Sequence, residues 1–191
     1  MVVGQGFTAN SEDGSASYGV VIENPNSTWW PRFVSVSITF LDADGTALTT
    51  ETHNITGILP NGRAAVAGEA LRVSGAAAME VQLSSLNLLP NRIRSSLEEA
   101  GRYDYQRIVT ARDESGEITT TGLIVSRFDR EQINVPIAVV YYDAAGEVVG
   151  GAATTVDQLS PGGEAEFEAS TSAAILDTAE TRVFGQIGFG D

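Results

Sequence analysis

Displaced by 101 residues, the sequence matches itself. Phe33–Val66 falls on Asn134–Phe167 without a gap, and Asp42, Ala43, Gly45, Pro60, Gly62 and Ala64 meet Asp143, Ala144, Gly146, Pro161, Gly163 and Ala165. The apolar pattern agrees, since Val34, Val36, Ile38 and Phe40 land on Val135, Ile137, Val139 and Tyr141. A displacement of 102 places Thr8-Ala9 and Gly14 on Thr110-Ala111 and Gly116, so an earlier segment repeats with a one-residue difference in length. A chain repeating at this period has to satisfy one fold twice, in about a hundred residues each time, which confines it to a tandem of two small domains.

Each copy reads as strands. In Val34-Ser35-Val36-Ser37-Ile38-Thr39-Phe40 apolar and hydroxyl residues alternate, the period of a strand with one face buried. Asp42-Ala43-Asp44-Gly45 and Asp143-Ala144-Ala145-Gly146 then turn the chain, an Asp opening the turn and a Gly accepting positive φ at its end. Pro60-Asn61-Gly62 and Pro161-Gly162-Gly163 mark the next turn. Further strands are expected near Val2–Ala9, Tyr18–Glu23, Glu80–Leu83, Ile108–Ala111, Ile118–Val125 and Val183–Phe189. About seven short strands per hundred residues, separated by turn signals, predict a β-sandwich in each copy. Between the copies, Ile93 and Leu97 lie four apart, Glu98 and Glu99 favour helix and Gly101 suits a helix end, which predicts one short helix over 91–100. The fold class expected is all-β: two tandem Ig-like antiparallel β-sandwiches, 1–84 and 104–191, joined by a linker with a short helix over 85–103. The apolar face of that helix, with Leu86, Leu88 and Leu89, is expected to fix the pair as one unit.

Charge and composition exclude several functions. The eleven basic residues, all arginine, stand against twenty-five acidic ones, for a net charge of −14. Nucleic-acid binding needs a basic surface to displace counterions from phosphate, and there is no basic run. With no cysteine and a single histidine, His53, thiolate sites and His-pair metal sites are excluded, and no metal or cofactor is expected. The apolar runs are short and broken, so no transmembrane segment is expected. Met1-Val2-Val3-Gly4 has neither the basic nor the apolar region of a signal peptide. The expectation is an extracytoplasmic protein (secreted, periplasmic or at the cell surface) whose leader is absent from this chain. Its oligomeric state is left open.

The strand ending in aromatic residues and Asp, followed by x-x-Gly and then Leu-x-Pro-Gly, resembles the FxLYD domain. The second copy carries it in Val139-Val140-Tyr141-Tyr142-Asp143-Ala144-Ala145-Gly146 and Leu159-Ser160-Pro161-Gly162-Gly163. The first has Ile38-Thr39-Phe40-Leu41-Asp42-Ala43-Asp44-Gly45 and Ile58-Leu59-Pro60-Asn61-Gly62. Ile38 and Val139 replace the family's Phe, and Leu41 stands where Tyr is usual. The resemblance implies an Ig-like sandwich of surface and secreted proteins, with no assigned reaction and no catalytic residue to carry over.

Trp29 and Trp30 stand together before the alternating strand. They either stack on a sugar or anchor a protein partner, or they cap the end of the sandwich. The second copy has Arg127-Phe128-Asp129-Arg130-Glu131 at the matching place, which makes Trp29, Trp30, Arg127, Phe128 and Arg130 the candidate partner-binding residues. Asp42-x-Asp44-Gly45 with Glu51 imitates part of a calcium loop, but Phe40 occupies the first ligand position, so a hairpin turn is expected. His53, with no Ser-His-Asp motif or nucleophile elbow around it, reads as an ordinary surface or half-buried residue. Together these features predict a non-catalytic module that binds a protein partner or a surface glycan, or else a structural subunit of a larger complex or filament.

Overall fold

The computed structural model describes residues 1–10, 13–27, 31–87, 102–172 and 178–187. Six strands form the first half: β1 (Val2–Asn10), β2 (Ser15–Glu23), β3 (Arg32–Leu41), β4 (Ala47–Gly57), β5 (Arg63–Leu71) and β6 (Ala78–Asn87). Six form the second: β7 (Tyr103–Arg112), β8 (Ile118–Ser126), β9 (Gln132–Tyr142), β10 (Val148–Leu159), β11 (Glu164–Thr171) and β12 (Glu180–Gly185). They make four three-stranded antiparallel sheets, β1-β2-β5 and β4-β3-β6 in the first half, β11-β8-β7 and β10-β9-β12 in the second. The sheet order of one half is that of the other six strands on, so the sequence repeat is a repeat of topology. Each half has six strands among the described residues where about seven were expected. The expected linker helix over 91–100 lies outside the described residues, among which there is no helix. The last strand stops at Gly185, short of the expected Phe189, which also lies outside them.

The Asp-x-x-Gly segments are hairpin turns. Asp42 Oδ1 accepts from the amides of Asp44 and Thr46 at 2.9 and 2.8 Å, and Asp143 Oδ1 from those of Ala145 and Glu147, both at 2.9 Å. A carboxylate satisfying two turn amides makes the bend, and Gly45 and Gly146 complete it with φ of 79° and 82°. Asp42 thereby spends its oxygen on its own turn instead of on a cation. At Pro60-Asn61-Gly62 the amide of Gly62 donates to Leu59 O with Asn61 at φ 52°, a type II turn, and Pro161-Gly162-Gly163 repeats it with Gly162 at 67°.

Each half encloses its own core. Val34, Val36, Ile38 and Phe40 of β3 meet Tyr18, Val20 and Ile22 of β2, while Val135, Ile137, Val139 and Tyr141 of β9 meet Ile118 and Ile124 of β8. A hydrogen bond between side chains ties the two sheets together within each core. In the first, Tyr18 Oη lies 2.5 Å from His53 Nε2, joining β2 to β4. In the second, Thr120 stands in place of Tyr18 and Tyr141 in place of Phe40, and the hydroxyl that has moved to β9 bonds Thr120 Oγ1 at 3.1 Å. Burial pushes the Tyr18 phenol above the ordinary tyrosine range, so it stays protonated.

Burial lowers the pKa of half-buried His53 from 6.5, with the Glu51 carboxylate acting in the opposite sense. The fold therefore favours the neutral ring. As pH falls through 6.5 the unfolded chain takes up a proton that the folded chain refuses, and stability is lost progressively down to the folded pKa. The urea midpoint of the protein is expected to fall between about pH 7.5 and about pH 5.5, and the fall should shrink in His53→Gln. Equal slopes for the two proteins would contradict this. The carboxylates held acidic by their turns and ion pairs, Asp13, Asp104, Asp113 and Glu180, lose their contribution in a lower window, below their ordinary values of 3.8 and 4.5.

The halves are joined face to face by two sheets that are not equivalent, β1-β2-β5 of the first and β10-β9-β12 of the second. A third apolar cluster fills this seam: Val21, Ala65 and Ala67 against Ala138, Val140, Tyr142 and Val148. Every residue of β2 from Ser15 to Ile22 is buried, because the strand has a core on both faces. The sheets approach closely over glycines. A Cβ built on Gly6 would lie 1.6 Å from the Val148 carbonyl oxygen, and one on Gly151 would lie 2.7 Å from Ala67 Cβ. Ser17 Oγ donates to Gly151 O at 2.7 Å and accepts from Gly151 N at 2.8 Å, and Thr8 Oγ1 donates to Val149 O at 2.6 Å. These bonds satisfy polar groups that the seam would otherwise bury unpaired. The described docking is thus made by the sheets themselves.

A head-to-tail contact of this kind could in principle continue indefinitely, and both outer sheets are built against that. On β11, Glu166 and Glu168 stand where β5 has Ala65 and Ala67. On the other outer sheet, the central strand β3 alternates its buried residues with Ser35, Ser37 and Thr39. Their partners on the same face are Thr50, Thr52 and Asn54 of β4. Glu80, Gln82 and Ser84 of β6 flank them on the other side. The corresponding face of β9 carries Ala138, Val140 and Tyr142 and is buried in the seam.

Candidate functional site

A hollow lies where the two halves meet at one end of the seam. Beyond Gly185 the chain leaves β12 and runs across the first half. Gln186 N donates to Pro136 O, Gln186 Nε2 to Ala65 O at 3.3 Å, and Thr56 Oγ1 to Ile187 O at 2.7 Å. This strap roofs a cavity of about 220 Å³ walled by Tyr103, Tyr105, Phe128 and Phe184 on the side of the second half and by Ile58 and Leu59 on the side of the first.

The second half supplies the rings because β7 alternates: Tyr103 and Tyr105 share a face with Asp104 between them. The Tyr103 and Phe128 rings are 4.9 Å apart, tilted by 47°. The Gly185 amide donates to the Tyr105 hydroxyl. Burial raises the Tyr105 phenol above the usual tyrosine range, with that amide acting in the opposite sense, so the hydroxyl stays neutral. Arg63 and Arg102 stand at the rim, the first bound to Glu23 at 2.8 Å and the second to Asp104 at 3.2 Å. Gln186 is buried. With its Nε2 committed to Ala65 O, its Oε1 has no hydrogen-bond partner. A buried acceptor without a donor is costly, about 1–3 kcal/mol, and this one belongs to a residue that lines the cavity.

Of the residues expected to bind a partner, Trp29 and Trp30 lie outside the described residues. Pro31, which follows them, accepts at its carbonyl oxygen from the Ile58 amide at 3.2 Å, next to the cavity wall. Arg127 is held by Asp104 at 2.6 Å, and this bond, followed by that of Arg102, holds the Asp104 carboxyl below its ordinary range. Phe128 is buried and forms part of the wall. Arg130 is exposed and does not line the cavity. Tyr103, Tyr105, Phe184 and Gln186 were not singled out from the sequence. The alternation of Tyr103 and Tyr105 around a charged residue was a legible signal of a shared face, but nothing in the sequence says that β12 and its extension cross to the other half.

A shallower groove on the outer sheet of the second half is bounded by Arg107, Glu166 and Glu168 beside a bulge in β7 at which Arg107 has φ 52°. Among the described residues no three His, Asp or Glu side chains gather as a metal site requires, and no helix is long and apolar enough to cross a membrane.

No family profile and no curated protein matches the chain. Among solved structures it is similar to the exo-chitosanase CsxA of Amycolatopsis orientalis, at 15% identity and a TM-score of 0.34 over 98% of this chain and 26% of that one. The complex of a variant of that enzyme with PNP-β-D-glucosamine is matched at 14% identity with the same TM-score and coverage. The chain spans about a quarter of the length of the structures it matches.

Proposed function

We propose that the chain is a non-catalytic binding module of the extracytoplasmic space or cell surface, two FxLYD-like, Ig-like sandwiches clamped into one body that presents the cavity between them to a protein partner. The observation that carries this reading is the unpartnered Oε1 of Gln186 beside a hollow walled by four aromatic rings. About 220 Å³ is below the roughly 300–1,000 Å³ of small-molecule sites, so the hollow suits one side chain of a larger partner. A Trp or Tyr fits it best, since its ring packs on the walls and its N–H or O–H supplies the donor that Gln186 lacks. The close-packed glycine seam favours a second reading, an accessory subunit in which a fixed spacing between the halves is the function.

The test is capture of partners from the native source on the immobilised protein and on Gln186→Leu. Leu removes the unpaired acceptor and, with it, the donor to Ala65 O, so the urea midpoint of the variant is measured alongside to show that it is folded. A stoichiometric partner retained by the parent protein and lost by the variant is the expected result. Retention of nothing, or equal retention by both, would sink the cavity as the binding site.

A further inference from the structure

We propose that the end of the second sandwich beside the Asp113 turn binds a small carboxylate, held by Arg112 and by the hydroxyls of Thr178 and Thr181. A cavity of about 380 Å³ opens there, lined by Thr110, Arg112, Ile118, Thr178 and Thr181 among others. That volume falls within the roughly 300–1,000 Å³ of small-molecule sites. Its polar side chains are three hydroxyls and one guanidinium, with no Asp or Glu among the lining residues.

The first half shows that the fold does not ask for these hydroxyls. Matched by register on the central strands, Thr110 stands in place of Phe7, Thr120 of Tyr18, Tyr141 of Phe40 and Thr181 of Met79. Thr178 stands in place of Ala76, each one residue before an amide that bonds back to the end of the central strand, at Tyr142 O and Leu41 O. In the first half this set packs as core, with the Phe7 ring edge-on to Phe40. In the second, four hydroxyls form a chain instead: Tyr141 to Thr120 at 3.1 Å, Thr120 to Thr110 at 3.0 Å and Thr110 to Thr181 at 2.9 Å. Four O–H protons serve three bonds, so one is left over. Tyr141 and Thr120 are fully buried, where an unpaired proton is costly. Tyr141 therefore donates to Thr120, Thr120 to Thr110 and Thr110 to Thr181, which leaves the Thr181 proton at the cavity. Thr178 Oγ1 is buried in the cavity wall with no hydrogen-bond partner. Arg112 stands where the first half has Ala9. Among the described residues it has no ion pair, whereas Arg63, Arg102, Arg127 and Arg182 are each bound to a carboxylate. The acids nearest in sequence are committed, Asp113 Oδ1 to the amides of Ser115 and Glu117 and Glu180 to Arg182. Two O–H donors and a guanidinium, with no acid among them, select a ligand that offers two acceptor oxygens on one planar group, which is a carboxylate.

The test is an NMR titration that follows the backbone amides of Thr110, Thr178 and Thr181, with acetate, malate and galacturonate as probes and galactose and phosphate as controls. At least one of the three carboxylates is expected to shift these amides saturably, and galactose to leave them unmoved. Thr178→Val keeps the shape of the side chain and breaks no hydrogen bond, so its urea midpoint should match or exceed that of the parent. Its affinity for the probe should nevertheless fall roughly tenfold, the size of one hydrogen bond to a charged group. Arg112→Gln, at an exposed position, should weaken binding by at least as much. Gln186→Leu should bind the probe as the parent does, so that failure of this site and failure of the seam cavity are read separately. No saturable shift with any of the three carboxylates, equal binding of galactose or phosphate, or unchanged affinity in either Thr178→Val or Arg112→Gln overturns the proposal. So does a lowered urea midpoint in Thr178→Val, which would show that its hydroxyl already has a partner.

Discussion

Gly6→Ala is expected to cost about 3 kcal/mol or more, above the middle of the range for overpacked interiors, although it adds one methyl group to a strand with few large residues. The reason is where that methyl would sit, 1.6 Å from the Val148 carbonyl oxygen and 2.6 Å from its carbon. Both are backbone atoms of β10, so no side chain can rotate away, and the sheets have to separate. Separation would loosen the Thr8–Val149 and Ser17–Gly151 bonds and open the apolar cluster around Val140. The measurements are a urea midpoint together with hydrogen exchange at the amides of residues 148–152, which should lose protection while the amides of β3 keep theirs. A change within about 0.5 kcal/mol, the size of an ordinary surface substitution, would mean that the seam is not packed as described.

Phe40→Ala is expected to remove about 3–5 kcal/mol, the usual cost of emptying a buried aromatic site. Phe40 is fully buried, with its ring edge-on to Phe7 at 5.5 Å and near Tyr18 at 5.7 Å, so it ties β3 to both β1 and β2. Small domains have only about 5–15 kcal/mol in total, so the first half should unfold at a much lower urea concentration. Two transitions in place of one are expected if the second core, built on Tyr141, survives alone. A single transition at the same reduced midpoint would show instead that the seam makes the two halves one cooperative unit. An unchanged midpoint would contradict the packing itself.

Much of each half was legible because the core of a sandwich has period two. Val34, Val36, Ile38 and Phe40 announce a buried face, and the Asp-x-x-Gly and Pro-x-Gly segments announce the hairpins by chemistry that acts within four residues. The docking of the halves was written in the sequence too, but in the differences between the copies. Where β3 has Ser37 and Thr39, β9 has Ala138 and Val140, and where β11 has Glu166 and Glu168, β5 has Ala65 and Ala67. In each copy one outer face has lost its polar residues, and the two faces are not the same one. Aligning the copies for their identities hides that signal, since it lies in the positions that fail to match.

The candidate cavity was less legible. Phe128 was singled out as a candidate for partner contact, and it lies buried in the wall of the cavity. Gln186 was passed over because a lone amide carries no motif. Its significance comes from Ala65 O holding one end of the amide while the other finds no donor, a relation between residues 121 positions apart.

By itself, then, the sequence determined what local chemistry and alternation can determine: an all-β chain, repeated twice, with its hairpins and the inward face of each central strand. Only the tertiary structure decided which outer faces meet, how closely the glycines let them approach, and that Gln186, Tyr103 and Phe128 surround one cavity. Period and turn chemistry act over a few residues and are recorded there. The meeting of two faces depends on matched shape and desolvation across a hundred residues, and no short segment carries that record.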